Sequence, residues 1–350
     1  MASSQQTQPK GTLLVTGAGG FVGGNIVLAA LKRGYSVRIT ARSEASAQST
    51  LAHFPSYASQ LSSVLVRDIT DVEAYAPAFA DGAITGILHA ASPFVLAPED
   101  NERDLLQPAI KGATAVLEAT ARFGAGKVRG VVATSSFASV VDIGKGLRPG
   151  YAYTEQDWNE MSYDEAKGAN GVVAYCASKA LAERAMWKWV EERGGEPALG
   201  FALTTICPPW VFGPYAWELT TTKGLSESVA LFNALFGADA VPPFDFGGFA
   251  DARVLGFAHV RALEVPEARG QRLLVAQGFR YQTVVDIARE EIPELREKLP
   301  VGTPGKVEDA YTIDGSKAER VLGLKYGSLR DTVVETFRQL LKARELEGTK

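Results

Sequence analysis

The chain has 350 residues, 46% hydrophobic and 22% charged, which suits one large domain or two with a sizeable core and excludes wholesale disorder. Lys and Arg number 36 against 40 Asp and Glu, a net charge of −4, which excludes the cation excess that a nucleic-acid binder needs. Cys176 and Cys207 are the only cysteines, His53, His89 and His259 the only histidines, and no CxxC or HxxxH pair occurs, so neither a metal site nor a disulfide framework is expected.

Met1 to Lys10 is polar, no apolar run reaches about 18 residues, and Glu347 to Lys350 carries no lipidation or peroxisomal signal. The expectation is a soluble cytoplasmic protein, a monomer or homodimer, that binds neither membrane nor nucleic acid.

Strands and helices alternate. Thr12 to Thr16 reads as a short apolar strand, Phe21 to Arg33 as a helix ending at Gly34, and Tyr35 to Ala41 as a second strand. Ser63 to Val66 and Gly86 to Ala90 read as buried strands with a helix between them over Asp71 to Phe79, introduced by Thr70 and Asp71. Glu102 to Arg122 has helical spacing, with Leu105, Leu106, Ala109, Ile110, Ala113, Val116 and Leu117 on one face. Val128 to Thr134 is a strand, Tyr175 to Arg193 a long helix stopped by Gly194-Gly195, and Phe201 to Ile206 a strand. Such alternation predicts a mostly parallel sheet covered on both faces. After Pro208 the pattern becomes irregular, punctuated by Pro208-Pro209, Gly213-Pro214, Pro242-Pro243 and Gly247-Gly248, although Leu225 to Phe236, Ser316 to Val321 and Ser328 to Arg344 still read as helical.

The first strand runs into Gly17, Gly19, Gly20, Phe21, Val22 and Gly23, with Gly17, Gly20 and Gly23 in GxxGxxG spacing before a helix. Absent side chains let backbone approach a pyrophosphate, and the helix N-terminus offers free N–H groups to it. The fold class expected is therefore α/β, a Rossmann-type doubly wound parallel sheet. Residues 1–210 form the dinucleotide-binding domain, with 251–275 a candidate to return to it, and a smaller C-terminal lobe over 211–350 binds substrate. The second strand reaches Arg42 with no acid before Glu44. A guanidinium fork suits a ribose 2′-phosphate where an acid would suit a free hydroxyl, and Arg38 is nearby, so NADP(H) is expected. Asp68 and Ile69, and Ala90, Ala91 and Ser92, follow strands at carboxyl ends, where such sheets bind ligands.

Tyr and Lys stand four apart twice, at Tyr175/Lys179 and at Tyr163/Lys167. Such a pair shares a helix face, and a nearby cation lowers a phenol's pKa and makes it a usable acid. Lys167 is followed by Gly168, Asn170 and Gly171, so that copy reads as a solvated loop, whereas Tyr175 opens a long helix. The third member is expected at a strand end, and Ser135-Ser136 follows Thr134. Alternation sends the two serines to opposite sides without saying which one meets substrate. Phe94, Phe137, Val172 and Trp210 are candidates for an apolar pocket. His89 and Cys176 read as packing.

These residues resemble the extended short-chain dehydrogenase/reductase family, within it the dihydroflavonol reductase and cinnamoyl-CoA reductase branch, and most of all yeast-type NADPH-dependent methylglyoxal/ketone reductases. The carrying segments are TGAGGFVG from Thr16, TARS from Thr40, HAASPF from His89, NERDLLQPAIKG from Asn101, ATSSFASV from Ala133, AYCASK from Ala174, VFGP from Val211 and SKAERVLGLKYG from Ser316. The resemblance implies Ser136, Tyr175 and Lys179 as catalytic residues, Arg42 as the NADPH-selecting residue, and Pro208 beside the cofactor. Three departures stand out. Ala45 and Ser46 replace a further basic residue after Arg42. Cys207 replaces the asparagine of the NPxxVxGP motif. The stretch Asp251 to His259 lacks the second aspartate of its motif.

The expected reaction is NADPH-dependent reduction of an aldehyde or ketone. Ser136 would hydrogen-bond the carbonyl oxygen, Tyr175 would protonate it, and Lys179 would lower the Tyr175 pKa and hold the nicotinamide ribose. The alternatives are a sugar-nucleotide epimerase or dehydratase, against which Arg42 and HAASPF count, and a non-catalytic NADP-binding redox sensor, against which the intact YxxxK pair counts.

Overall fold

The structure, a computed structural model, describes residues 10–92, 98–124 and 126–348. In β1 (Thr12–Thr16) Leu13 and Val15 enter the core on one face of the sheet and Leu14 the core on the other, as strand alternation demands. The chain continues through α1 (Phe21–Lys32), β2 (Ser36–Ala41), α2 (Glu44–Ala52) and β3 (Leu61–Leu65). Helix α2, absent from the sequence reading, is nucleated by a capping box in which the Ser43 and Ser46 side chains satisfy each other's backbone N–H. The helix expected over Asp71 to Phe79 is shorter, a 3₁₀ turn at Glu73–Tyr75 leading into α3 (Ala76–Phe79). Then come β4 (Ile84–His89), α4 (Gln107–Phe123), whose first turn over Glu102–Leu106 is a wider π turn, and β5 (Gly130–Thr134).

Two further readings change in the next stretch. After β6 (Ala152–Tyr153), Tyr163 and Lys167 sit on a real helix, α5 (Tyr163–Gly168), started by a Ser162/Glu165 capping box. Helix α6 (Gly171–Glu192) begins four residues before Tyr175, because Asn170 Oδ1 accepts the Val173 N–H and caps it. Tyr175 therefore stands inside a formed helix rather than at its first residue. After α7 (Gly195–Leu199) and β7 (Ala202–Ile206) follow β8 (Trp210–Phe212), α8 (Glu227–Ala234), β9 (Gly248–Asp251), α9 (Ala252–Glu264), β10 (Arg272–Leu273), β11 (Gln277–Gly278), α10 (Tyr281–Glu291), β12 (Thr312–Ile313), α11 (Ser316–Leu322) and α12 (Leu329–Gly348).

The main sheet has seven strands in the order β10-β7-β5-β4-β1-β2-β3, and every pairing in it is parallel. This is the doubly wound Rossmann-like arrangement. Its order reverses between β1 and β4, so a crevice opens beyond the carboxyl ends of those two strands. One face is covered by α4 and α6 over Leu14, Ile87, Val131, Val116 and Met186. The other is covered by α1 and α9, which approach closely at Gly256, where a Cβ would stand 2.5 Å from the Asn25 carbonyl oxygen. The apolar core on that face runs without a break from Val15 and Ile26 to Phe212, Phe232 and Phe337. The segment beyond β7, with the small sheet β11-β9-β8, thus shares the core of the main sheet. Its Tyr215 packs on Phe21, ring centroids 4.6 Å apart, and its Trp217 stacks on His53 at 4.2 Å. Among the described residues no helix is long and apolar enough to cross a membrane.

Candidate active site

The turn between β1 and α1 reaches the crevice at the switch point. Gly17 has φ of +71°, and a Cβ there would stand 2.7 Å from the Ala91 nitrogen, so the glycine lets the turn seat directly on the Ala90-Ala91 backbone. At Gly23 a Cβ would lie 2.0 Å from the Gly17 carbonyl oxygen, which binds helix to turn. Gly19 and Gly20 are exposed, and a Cβ at Gly20 would meet only the Gly17 oxygen, at 3.4 Å. Gly20 therefore keeps clear the space outside the turn. Helix α1 has no side-chain cap and no acid in its first turn, so the N–H groups of Phe21 and Val22 belong to an uncapped positive helix end suited to a pyrophosphate. The buried Phe21 ring faces the lobe, and only its backbone is placed for that role.

Arg42, one residue beyond β2, is exposed and forms no ion pair within the described residues. Arg38 is committed elsewhere, in a bidentate pair with Asp81 (3.0 and 2.6 Å) and a bond to the Ala78 carbonyl. Arg38, on β2, stands four residues before Arg42, so its guanidinium is spent on these partners away from the strand end. The hydroxyls of Ser43 and Ser46 are spent on capping α2. Arg42 is left as the exposed cation at this strand end, an arrangement that fits an NADP 2′-phosphate.

Asp68 accepts the Thr70 N–H and Thr70 hydroxyl, both at 2.8 Å, and these bonds hold its carboxyl below the usual range. Ile69, His89, Ala91, Ser92, Thr134, Ser135, Lys179 and Glu183 line a cavity of about 30 Å³, room for a water or two. His89 bonds the Thr16 hydroxyl at 2.8 Å. Burial and, after it, the Lys179 charge push the imidazole down to about 4, so it is neutral.

Lys179 Nζ donates to Ser92 Oγ at 2.7 Å and lies 5.1 Å from the centre of the Tyr175 ring. Burial pushes its pKa down to about 8. The Tyr175 phenol moves up, not down: burial raises it first, and Cys176 and Glu227 add to that. Burial opposes the depression expected from Lys179, since desolvation disfavours the phenolate. Tyr175 is thus a protonated hydroxyl at neutral pH. Burial likewise pushes the Cys176 thiol up to about 12.

The two serines divide as alternation requires. Ser135 Oγ donates to Glu183 Oε2 at 2.7 Å. Ser136 Oγ accepts the Ala138 N–H at 3.1 Å, which leaves its hydroxyl hydrogen for another acceptor. Pro208, buried, lends its carbonyl to the Phe137 N–H at 2.8 Å and so pins the same strand end. The second Tyr/Lys pair is a structural decoy: Tyr163 donates to Glu102 at 2.9 Å and Lys167 pairs with Glu102 at 2.8 Å.

The four pocket candidates fare differently. Phe94 lies outside the described residues. Val172 is exposed on the first turn of α6. Trp210 is partly exposed, packs against Phe246 and donates its indole N–H to Asp245 at 3.1 Å. Phe137 is wholly buried among Tyr153, Phe246 and Tyr311, so it backs a wall rather than lining one. The sequence reading missed Glu183. Its place eight residues after Tyr175, on the same helix face, was the available signal.

Residues 13–234 match the NAD dependent epimerase/dehydratase family. The chain belongs to that family. It is 35% identical over 341 residues to the NADPH-dependent methylglyoxal reductase Gre2 of Saccharomyces cerevisiae, covering 95% of this chain and 98% of that protein. It is 33% identical to the ketoreductase AzaE of Aspergillus niger, covering 94% and 97%. The crystal structure of yeast methylglyoxal/isovaleraldehyde reductase Gre2 complexed with NADPH superimposes with a TM-score of 0.89 at 34% identity, over 96% of this chain and 99% of that one.

Proposed function

We propose that the protein is an NADPH-dependent carbonyl reductase, an oxidoreductase that converts an aldehyde or ketone to an alcohol. The observation that carries this reading is the meeting of Lys179 with both Ser92 and the Tyr175 ring at the switch-point crevice, beside the strand end that bears Ser136. Arg42 supports NADPH over NADH, and the names of the full-length relatives agree with both. The lobe from about residue 211 onward supplies the substrate-facing wall, with Trp210 at its edge.

Bound NADPH supplies the hydride. Ser136 donates its hydroxyl hydrogen to the substrate oxygen and orients the carbonyl. Tyr175, kept protonated by burial, delivers its proton to that oxygen as negative charge develops there. The Lys179 ammonium, over the ring, stabilises the phenolate left behind and, through the Ser92 hydroxyl, stands where the ribose hydroxyls would lie. NADPH oxidation on addition of methylglyoxal, an aromatic ketone or a β-keto ester tests the proposal.

The Lys179 pKa gives a pH dependence. The ammonium is present below about 8 and lost above it, so kcat for reduction is expected to fall as pH rises through about 8. Lys179→Arg, which keeps its charge throughout, is expected to remove that alkaline limb even if its absolute rate is lower. An unchanged limb in Lys179→Arg would assign the titration to another group.

A further inference from the structure

We infer that Glu183 is a positioning residue that fixes the Ser136 strand end against the helix carrying Tyr175 and Lys179, an inference that rests on the proposed roles of those three. Residues 175, 179 and 183 repeat every four along α6 and share one face. The first two point to chemistry. The third is a carboxylate only 2% exposed, which is costly unless every lone pair is matched.

The matching partners come from three other elements. Ser135 Oγ and Ser139 Oγ lie 2.7 and 2.6 Å from Oε2. Thr205 Oγ1, on β7, donates to Oε1 at 2.7 Å. Arg272, on β10, places Nε 2.8 Å from Oε1 and Nη2 3.2 Å from Oε2. Burial opposes ionisation of Glu183, but Arg272 and the hydroxyls outweigh it and hold the carboxyl below its ordinary range. Cys207, whose sulfur lies 3.6 Å from Oε2, is pushed up to about 12 by burial first and by Glu183 next, so it adds no second negative charge.

The serines that Glu183 holds bracket Ser136, one residue before it and three after it. Ser139 Oγ also lies 2.7 Å from the Ser136 carbonyl oxygen. Arg272 Nη2 reaches Ser139 Oγ at 2.9 Å and its carbonyl at 3.2 Å, and Nη1 binds the Glu155 and Asp157 carbonyls. Helix α6 therefore cannot slide along the β5 end without tearing this cluster. The separation between the Ser136 and Tyr175 hydroxyls is set from below, by a carboxylate that meets no substrate.

Removing Glu183 would strand Arg272 in the core and endanger folding, so the test spares that pair. In Ser135→Ala/Ser139→Ala the turn loses its two hydroxyl links to Glu183, while Glu183 keeps Arg272 and Thr205. Its kcat is expected to fall about 10-fold or more, while the NADPH dissociation constant, read by nicotinamide fluorescence, stays within about 2-fold of wild type, as for a mispositioned rather than unfolded site. In a Ser136→Ala background the same pair of changes is expected to cause no further loss, because the cluster acts through Ser136. An unchanged kcat, or an equal fractional loss with and without Ser136, overturns the inference. Full activity in Ser136→Ala and Tyr175→Phe would instead overturn the site assignment beneath it.

Discussion

Tyr175→Phe is expected to lower kcat for carbonyl reduction by roughly 10²–10⁴-fold, the range that a positioned general acid contributes. The ring, and with it the Lys179 contact at 5.1 Å, is retained, so only the proton donor is removed. NADPH binding, followed by nicotinamide fluorescence, should therefore stay close to wild type. Tyr163→Phe is the matched control. Its hydroxyl serves Glu102 and lies on a separate short helix, so it should keep wild-type kcat and show at most a small loss in Tm. If the two variants exchanged these behaviours, the chemistry would belong to the other Tyr/Lys pair.

The second large effect concerns cofactor choice. Arg42 stands exposed at the end of β2 with no ion pair among the described residues, and the positions after it are occupied by the caps of α2. A charge-assisted bond is worth about 1.5–3 kcal/mol, so Arg42→Ala should weaken NADPH binding by roughly 10- to 100-fold. NADH, which has no 2′-phosphate, should bind much as before. Because Arg38 is held by Asp81, it offers no substitute. Equal losses for both nucleotides would show that Arg42 supports the fold rather than the phosphate.

Much of this architecture is legible in the chain. Runs such as Thr12–Thr16 and Ala202–Ile206 are short, apolar and bounded by turn residues, and each is a strand of the parallel sheet. The glycine turn reads correctly because its requirement is local: backbone must approach backbone at Gly17 and Gly23. The errors arise where a distant partner decides. Nothing near Tyr163 announces Glu102, which ties up both members of that pair, although the Ser162/Glu165 capping box that starts the six-residue helix is a local signal. Nothing near Ser135 or Ser136 says which one faces Glu183 and Arg272, residues 48 and 137 positions beyond Ser135. Helix α9 was hidden in an irregular stretch because its stability comes from packing on α1 rather than from its own signals, although Asp251 caps it by accepting the Arg253 N–H.

The direction of the Tyr175 pKa is the sharpest lesson of this kind. Spacing alone places a cation four residues away and predicts a depressed phenol. The structure adds that burial and the negative charge of Glu227 raise the phenol, and that burial lowers Lys179 itself to about 8. Burial is a property of the fold, and i, i+4 arithmetic cannot see it. A protonated phenol is the form that a carbonyl oxygen needs as it takes on charge, and the Lys179 cation beside the ring eases the loss of that proton.

The central claim is hydride transfer from NADPH to a carbonyl carbon. The most direct measurement is a single turnover of the protein with NADPH deuterated at the transferable C4 position and an excess of methylglyoxal or an aromatic ketone, the product being analysed by mass spectrometry. The account predicts an alcohol carrying one deuterium on the carbinol carbon, formed in amount equal to the NADPH oxidised and roughly 10²–10⁴-fold more slowly with Tyr175→Phe. Tight binding of the labelled cofactor with its deuterium retained, and no alcohol from any carbonyl offered, would contradict it.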